Sequence, residues 1–385
     1  VVAVGAGWLL HTLGFERYVR RTATQESSGC SSSASPCSAT STASSCGTNS
    51  CDTTPKTASC GADRKTTVST SSECCDSQPT VTVKKEGKYS GVWREAWSDF
   101  IDVLPYLLIG IAILFISAEF VEKHLDKKGE YYALILTAVL ATMLMAAANE
   151  LLTAFLAIEL LSFSLYVLVS ITRSDHRSNE SGIKYIILGI LSSALFLFGI
   201  SYVFGILGTT VFDDIAQATI NAPVNLGLLF GITLIIVGFG FKAAAVPFHM
   251  WAPDVYEGAP YPVTAYLAIG SKAAAFALIL RLVSEGFVPA AERWEQWQLV
   301  FAVLAAVTML VGNLVALAQK NLKRLLAYSS IGHAGFILAG ITALSSNSDL
   351  ASNGVMFYLV GYSITNLVVF AALISFFNMT GKEMI

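Results

Sequence analysis

The stretch GFGFKAAAVPFHMW, residues 238–251, sets a lysine in the middle of an apolar run and follows it within seven residues by a proline and a histidine. Gly238 and Gly240 weaken a helix ahead of Lys242, because glycine loses the most backbone freedom on ordering. Pro247 has no N–H, so the carbonyl of Ala243 loses its helical partner. An interrupted helix is tolerated at membrane depth where its free ends line a polar cavity. The stretch therefore reads as a broken transmembrane helix that holds a titratable amine beside loosened backbone. The plainer alternative is a proline kink that only aids packing.

The composition agrees with a membrane setting. Of 385 residues, 54% are hydrophobic and 13% charged, against roughly 25% charged in soluble domains. The mean hydropathy is +0.61. Apolar runs fall at about 101–120, 131–148, 151–171, 183–206, 225–246, 262–284, 298–318, 325–344 and 355–378. Each is long enough, or nearly so, to cross about 30 Å of hydrocarbon as a helix. They lack the alternation of barrel strands, and only helices and closed barrels satisfy every backbone group in lipid. The fold class is an all-α polytopic membrane protein, with the lipid bilayer as its surroundings. A net charge of −3 leaves no footprint for nucleic acid.

Val1 is not an initiator methionine, and the chain reads as a fragment without a cleavable signal peptide. Residues 1–15 read as a partial transmembrane span and 16–100 as a long polar loop. That loop holds all seven cysteines: Cys30, Cys37, Cys46, Cys51, Cys60, Cys74 and Cys75. Their spacings match no zinc, haem or iron–sulfur pattern. The Ser/Thr-rich, low-complexity surroundings read as disordered. The adjacent pair Cys74 and Cys75 is a weak candidate for a soft metal ion.

Charge orients the spans. Lys123, Lys127, Lys128, Arg173, Arg177, Lys320, Lys323, Arg324 and Lys382 fall on one side; Asp213, Asp214, Glu285, Glu292, Glu295 and Asp349 fall on the other. The positive-inside rule makes the first side cytoplasmic. The sequence RYVRR at 17–21 breaks this parity, since a single span at 101–120 would then deliver Lys123 to the outside.

Three charges lie deep within spans: Glu159 in FLAIELLSFSLYV, Lys242, and Lys272 in LAIGSKAAAFAL. A mid-span charge costs about 2.5–3.5 kcal/mol on insertion scales, which makes each a functional candidate. Burial disfavours the charged form of either group type and a nearby opposite charge restores it. An amine whose carboxylate partner approaches or leaves can thus bind or release a proton, the property a relay needs. A structural ion pair between helices is the alternative. His249, two turns beyond Lys242, either passes a proton onward or caps the segment. His333 in SSIGHAGF is either a relay member or a satisfied interior histidine. Lys184 and Glu180 open a span at the cytoplasmic edge, where they snorkel, pair or form a relay branch. Lys323 and Arg324 read as orientation signals. Glu130 opens its helix, where a carboxylate suits the macrodipole. Glu150 reads as an edge residue. The chain has no phosphate loop, dinucleotide fingerprint or intramembrane Cys/His ligand set, so no redox centre is expected in it.

From about residue 117 onward the chain resembles the subunit N type of the antiporter-like membrane subunits of respiratory complex I (NADH:quinone oxidoreductase). The similarity rests on GEYYALIL, AIELLSFSLYVLVS, SGIKYIILG, GFGFKAAAVPFHMWAPDVYEGAPYPVTAYLAIGSKAAAF and NLKRLLAYSSIGHAGF. The resemblance implies inverted five-helix repeats, each with a broken helix: a first antiporter-like repeat at 121–284 and an incomplete second repeat at 285–385. It implies that Glu159 and Lys242 are the family's Glu–Lys pair and Lys272 the central lysine between half-channels. His249 and His333 correspond to the central hydrophilic axis. Glu130, Lys184 and Lys323 match family positions of less defined role.

The implied function is that of a membrane subunit of a proton-pumping translocase in a prokaryotic cell (inner) membrane. Its partners would be the other membrane subunits of complex I. It would carry no cofactor of its own, with quinone, flavin and iron–sulfur clusters in partner subunits. The chain stops at Ile385, before the family's second broken helix and terminal lysine. Residues 1–115 instead resemble part of a predicted permease family, through WREAWSDFIDVLPYLLIGIAI at 93–113, which makes the helix at 101–120 a fusion region. A natural fusion, a gene remnant and an assembly artefact stay open. Two further readings also stay open: a subunit of a cation/proton antiporter or membrane-bound hydrogenase, and a non-transporting fusion whose cysteine loop binds a soft metal ion.

Overall fold

The computed structural model describes residues 90–221, 226–289, 291–345 and 350–381. The expected partial span at 1–15, most of the polar loop, and Cys74 and Cys75 lie outside them. Among the described residues nine helices are long and apolar enough to cross a membrane, one at each apolar run of the sequence. In chain order they are α1 (Ser90–His124), α2 (Lys128–Ala147), α3 (Leu151–Val169), α4 (His176–Leu207), α6 (Leu226–Ala243), α8 (Tyr261–Phe287), α9 (Ala291–Leu317), α10 (Leu322–Thr342) and α11 (Leu350–Thr380). Two shorter helices complete the set: α5 (Phe212–Asn221) and α7 (Trp251–Gly258). The protein is a multi-pass membrane protein.

Helix ends follow local chemistry. Asp175 caps α4 by accepting the backbone N–H of Arg177 at 3.0 Å, and Gly208 ends it at φ 75°, a conformation that suits glycine. Asn321 caps α10, accepting from the N–H of Lys323 and Arg324. Helix α1 begins at Ser90, inside the stretch read as loop up to residue 100. Apolarity marks only the depth of the hydrocarbon, whereas backbone hydrogen bonds carry a helix on through polar residues.

Outward stripes such as Leu136, Leu140 and Leu144 on α2, or Leu152 and Leu156 on α3, are exposed large apolar side chains at four-residue spacing. That is the surface expected against lipid tails. The helix α8 is the axis of the bundle: 94% of its apolar window is buried, against 22% in α9. It touches α1, α2, α6 and α11, so α1 is packed into the body.

Close helix approach uses small residues. A Cβ on Gly312 of α9 would lie 2.8 Å from the Cα of Gly332 on α10. Backbone cannot give way as a flexible side chain can. Gly312→Ala is therefore expected to destabilise the α9–α10 pair by about 1–3 kcal/mol, read as a lower melting temperature of the detergent-solubilised protein. An unchanged melting temperature would show that the two helices separate freely.

Candidate functional site

The break expected from residues 238–251 is present. Helix α6 stops at Ala243, residues 244–250 turn, and α7 resumes at Trp251. Ala244 takes φ 57°, and the Val246–Pro247 peptide is cis. The loosened backbone finds partners: Ala245 N–H donates to the Gly240 carbonyl at 2.8 Å, and the Trp251 indole N–H donates to the Phe241 carbonyl at 2.8 Å. The Val246 N–H donates to Thr308 Oγ1 of α9 at 3.0 Å. Gly238 and Gly240 do not end the helix, which runs through both. A Cβ at Gly240 would meet the Phe248 ring at 2.7 Å, and one at Gly238 would meet Phe196 at 2.6 Å. These glycines make room for the returning chain and for α4, and Pro247 lies in the turn itself.

Lys242 sits in the last turn of α6 and is 2% exposed. Its Nζ donates to Ser162 Oγ on α3 at 3.0 Å. Ser162 in turn donates to the Ile158 carbonyl at 2.7 Å. Glu159 lies one turn before Ser162, half-buried, and accepts from the Ser193 hydroxyl on α4. Among the described residues no ion pair within 4.0 Å joins Glu159 to Lys242, although each lies in the other's electrostatic reach. The amine is parked beside the carboxylate rather than on it.

Lys272 is also 2% exposed. It follows a π-helical turn at Leu267–Ser271, a wider coil of the kind that recurs at functional sites. Its Nζ donates to Ser330 Oγ on α10 at 2.8 Å, and Ser330 donates to the Ala327 carbonyl at 2.8 Å. Tyr362 of α11 donates to the Ala268 carbonyl in the π turn at 3.0 Å. The buried hydroxyl of Tyr256 lies beside Ser330. His333, one turn past Ser330, has Nδ1 2.6 Å from the Tyr358 hydroxyl. Thus Lys272 and His333 come together. His249 stands apart in the break, its ring 6.5 Å from that of Tyr328.

The edge residues sort differently. Glu130 pairs at the surface with Lys127 at 2.9 Å and Arg173 at 3.9 Å. Glu150, at the N-terminal end of α3, accepts from Thr153 and Thr210. Lys184 bridges Glu180 at 2.8 Å and Asp254 at 3.1 Å. Lys323 is 6% exposed, and its Nζ donates to the carbonyls of Glu257 and Ala259 at 3.2 Å each, 4.2 Å above the Tyr261 ring. Arg324 Nη1 bonds Asp254 at 2.8 Å and Glu257 at 2.9 Å. Lys323 and Arg324 therefore do more than orient the chain: they clamp α7 to α10. Asp254 and Glu257 were not singled out from sequence. Their signal was two acids three residues apart in PDVYEG, on the side otherwise rich in cations.

At Asp254 burial pushes the carboxyl up, but hydrogen bonds from Lys184 and Arg324 outweigh it and hold the group below its ordinary value. A depressed carboxylate contributes stability above its unfolded value, near pH 4, and that stability is lost as pH falls through the folded value. Acidification below about pH 4 should loosen α7 from α4 and α10. Amide exchange across Trp251–Gly258 is the readout. Relative to intrinsic rates, Asp254→Asn should show at pH 7 the lowered protection that the wild type shows only in acid; identical protection in both at pH 7 would remove the clamp. Among the described residues no cluster of three or more His, Cys, Asp or Glu is placed to hold a metal ion.

The family described as NADH:quinone oxidoreductase/Mrp antiporter, TM, matches residues 148–384. Among curated proteins, the chain is 40% identical over 304 residues to the NADH-quinone oxidoreductase subunit N of Dehalococcoides mccartyi, covering 77% of this chain and 62% of that protein. It is 45% identical over 267 residues to that of Moorella thermoacetica, covering 69% and 55%. The chain thus spans less than two thirds of the length of these relatives. Among solved structures, a chain of respiratory complex I from Thermus thermophilus aligns with TM-score 0.56 and 35% identity over 70% of this chain and 57% of that one. A chain of the archaeal membrane-bound sulfane sulfur reductase aligns with TM-score 0.63 and 27% identity over 74% and 57%.

Proposed function

We propose, because this chain belongs to the NADH:quinone oxidoreductase/Mrp antiporter transmembrane family, that it serves as the subunit N type of membrane component in a proton-pumping NADH:quinone oxidoreductase. One observation carries the reading: two lysine amines, each 2% exposed, end on hydroxyl oxygens at membrane depth, one of them within a turn of a half-buried carboxylate. A mid-membrane amine is costly and is retained for function. Quinone reduction in partner subunits drives a charge rearrangement that moves Glu159 relative to Lys242. The Lys242 proton then passes toward Lys272, Ser330 and His333, with the mouths on the two sides open in turn. Flavin, iron–sulfur clusters and quinone belong to the partners, which include the other membrane subunits. The setting is the inner membrane of a prokaryotic cell.

The likeness to the sulfane sulfur reductase chain favours a second reading, in which the same fold is driven by another membrane respiratory complex. Co-purification with NADH-oxidising and quinone-reactive subunits separates the two. The relay itself is tested by Glu159→Ala in the assembled complex, reconstituted in proteoliposomes. Protons translocated per quinone reduced should fall while the complex still assembles. A native ratio would contradict the reading.

A further inference from the structure

We propose that Ser162 and Ser330 are positioning residues, each an acceptor that fixes the direction and proton affinity of one buried lysine. The proposal rests on the relay reading above and extends it to residues outside the Glu–Lys–His set.

A serine hydroxyl has one proton to give and two lone pairs. In both serines the proton is already committed within its own helix: Ser162 donates to the Ile158 carbonyl at 2.7 Å and Ser330 to the Ala327 carbonyl at 2.8 Å. Towards the lysines these oxygens can therefore only accept, and the amines lie 3.0 and 2.8 Å away. A hydrogen bond from an ammonium is roughly twice as strong as one from a neutral donor. Each serine thus favours the protonated lysine without supplying a counter-charge. A carboxylate in the same place would hold the proton too firmly to release it, whereas an apolar side chain would leave the amine unpartnered.

The two serines also differ in where they stand. Ser162 lies one turn from Glu159, so Lys242 can swing between a neutral and a charged acceptor along the same helix face. Ser330 lies on α10 while Lys272 lies on α8, so the second amine is anchored beyond the residues expected to form the first repeat. His333 follows Ser330 by one turn. The titratable groups gathered around the Glu159–Lys242 pair are Tyr166 on α3 and Tyr185 on α4. Those around Lys272 and Ser330 are Tyr256 on α7, His333 on α10 and Tyr362 on α11, with Tyr358 of α11 bonded to His333.

The test compares Ser162→Ala, Ser330→Ala and the matching threonine variants in the assembled complex in proteoliposomes, with Lys242→Met and Lys272→Met alongside. Losing an acceptor from a charged donor should lower lysine proton affinity about tenfold. The alkaline limb of the pumping profile should move about one pH unit toward acid in the alanine variants. Threonine keeps the hydroxyl and its back-bond to the helix, so it should restore the native profile. Should an alanine variant fail to assemble, serine→cysteine supplies a near-isosteric, weaker acceptor, and its limb should also move toward acid.

Native profiles in the alanine or cysteine variants, with both lysine variants defective, would overturn the serine assignment and leave the relay standing. Threonine behaving like alanine would also overturn it, since packing alone would then explain the loss. Native pumping in the lysine variants would sink the relay and this proposal together.

Discussion

Lys242→Met is expected to stop proton translocation through this subunit while leaving the complex assembled. Methionine nearly matches the lysine stem in volume, and because Lys242 donates to a neutral serine rather than sitting in an ion pair, its loss strands no paired buried charge. Folding should therefore survive, and what goes is the proton carrier. Ser162 Oγ then loses the donor at 3.0 Å, and Glu159 keeps its bond from Ser193. The companion variant Lys242→Arg separates charge from titration. A guanidinium stays protonated at any accessible pH, so it keeps the positive charge but releases nothing. Both variants should show the same fall in protons per quinone. Native pumping by the arginine variant would mean that a fixed charge suffices, and proton exchange at this position would be ruled out.

Lys272→Met is expected to give a loss of comparable size for a different reason. In the proposed relay Lys272 would receive what Lys242 delivers; its Nζ is bonded to Ser330, one turn from His333. Two amines in one series should not contribute independently. The double variant should thus pump no less than either single one, a marked failure of additivity of the kind seen among coupled sites. If the losses instead added, Lys242 and Lys272 would serve separate routes. Proton-to-quinone ratios for the four proteins, measured in one vesicle preparation, decide the matter.

Much of this was legible in the sequence because hydrocarbon is an unforgiving solvent. Among the described residues the nine apolar runs became nine helices long enough to cross a membrane, and the break after Lys242 was visible from Pro247. The depth of Glu159, Lys242 and Lys272 followed from counting residues to each span end. Other features depend on contacts that no local pattern records. Gly238 and Gly240 read as helix weakeners, yet they yield space to Phe196 and Phe248 within an unbroken helix. Nothing local links Ser162 or Ser330 to the lysines that reach them, 80 and 58 positions away in sequence. Lys323 and Arg324 counted as topology signals, since their partners on α7 arrive only when the broken helix folds back. The π turn before Lys272 likewise has no signature in composition.

The central claim is that a sequestered amine changes partner as the complex turns over. High-resolution electron cryomicroscopy of the assembled complex, oxidised and during quinone reduction, tests it directly. The expected result is Lys242 Nζ on Ser162 in one state and within hydrogen-bonding distance of Glu159 in the other, with ordered water reaching from Lys242 toward Lys272. An amine fixed on Ser162 in both states, with only packed hydrocarbon between the two lysines, would contradict it.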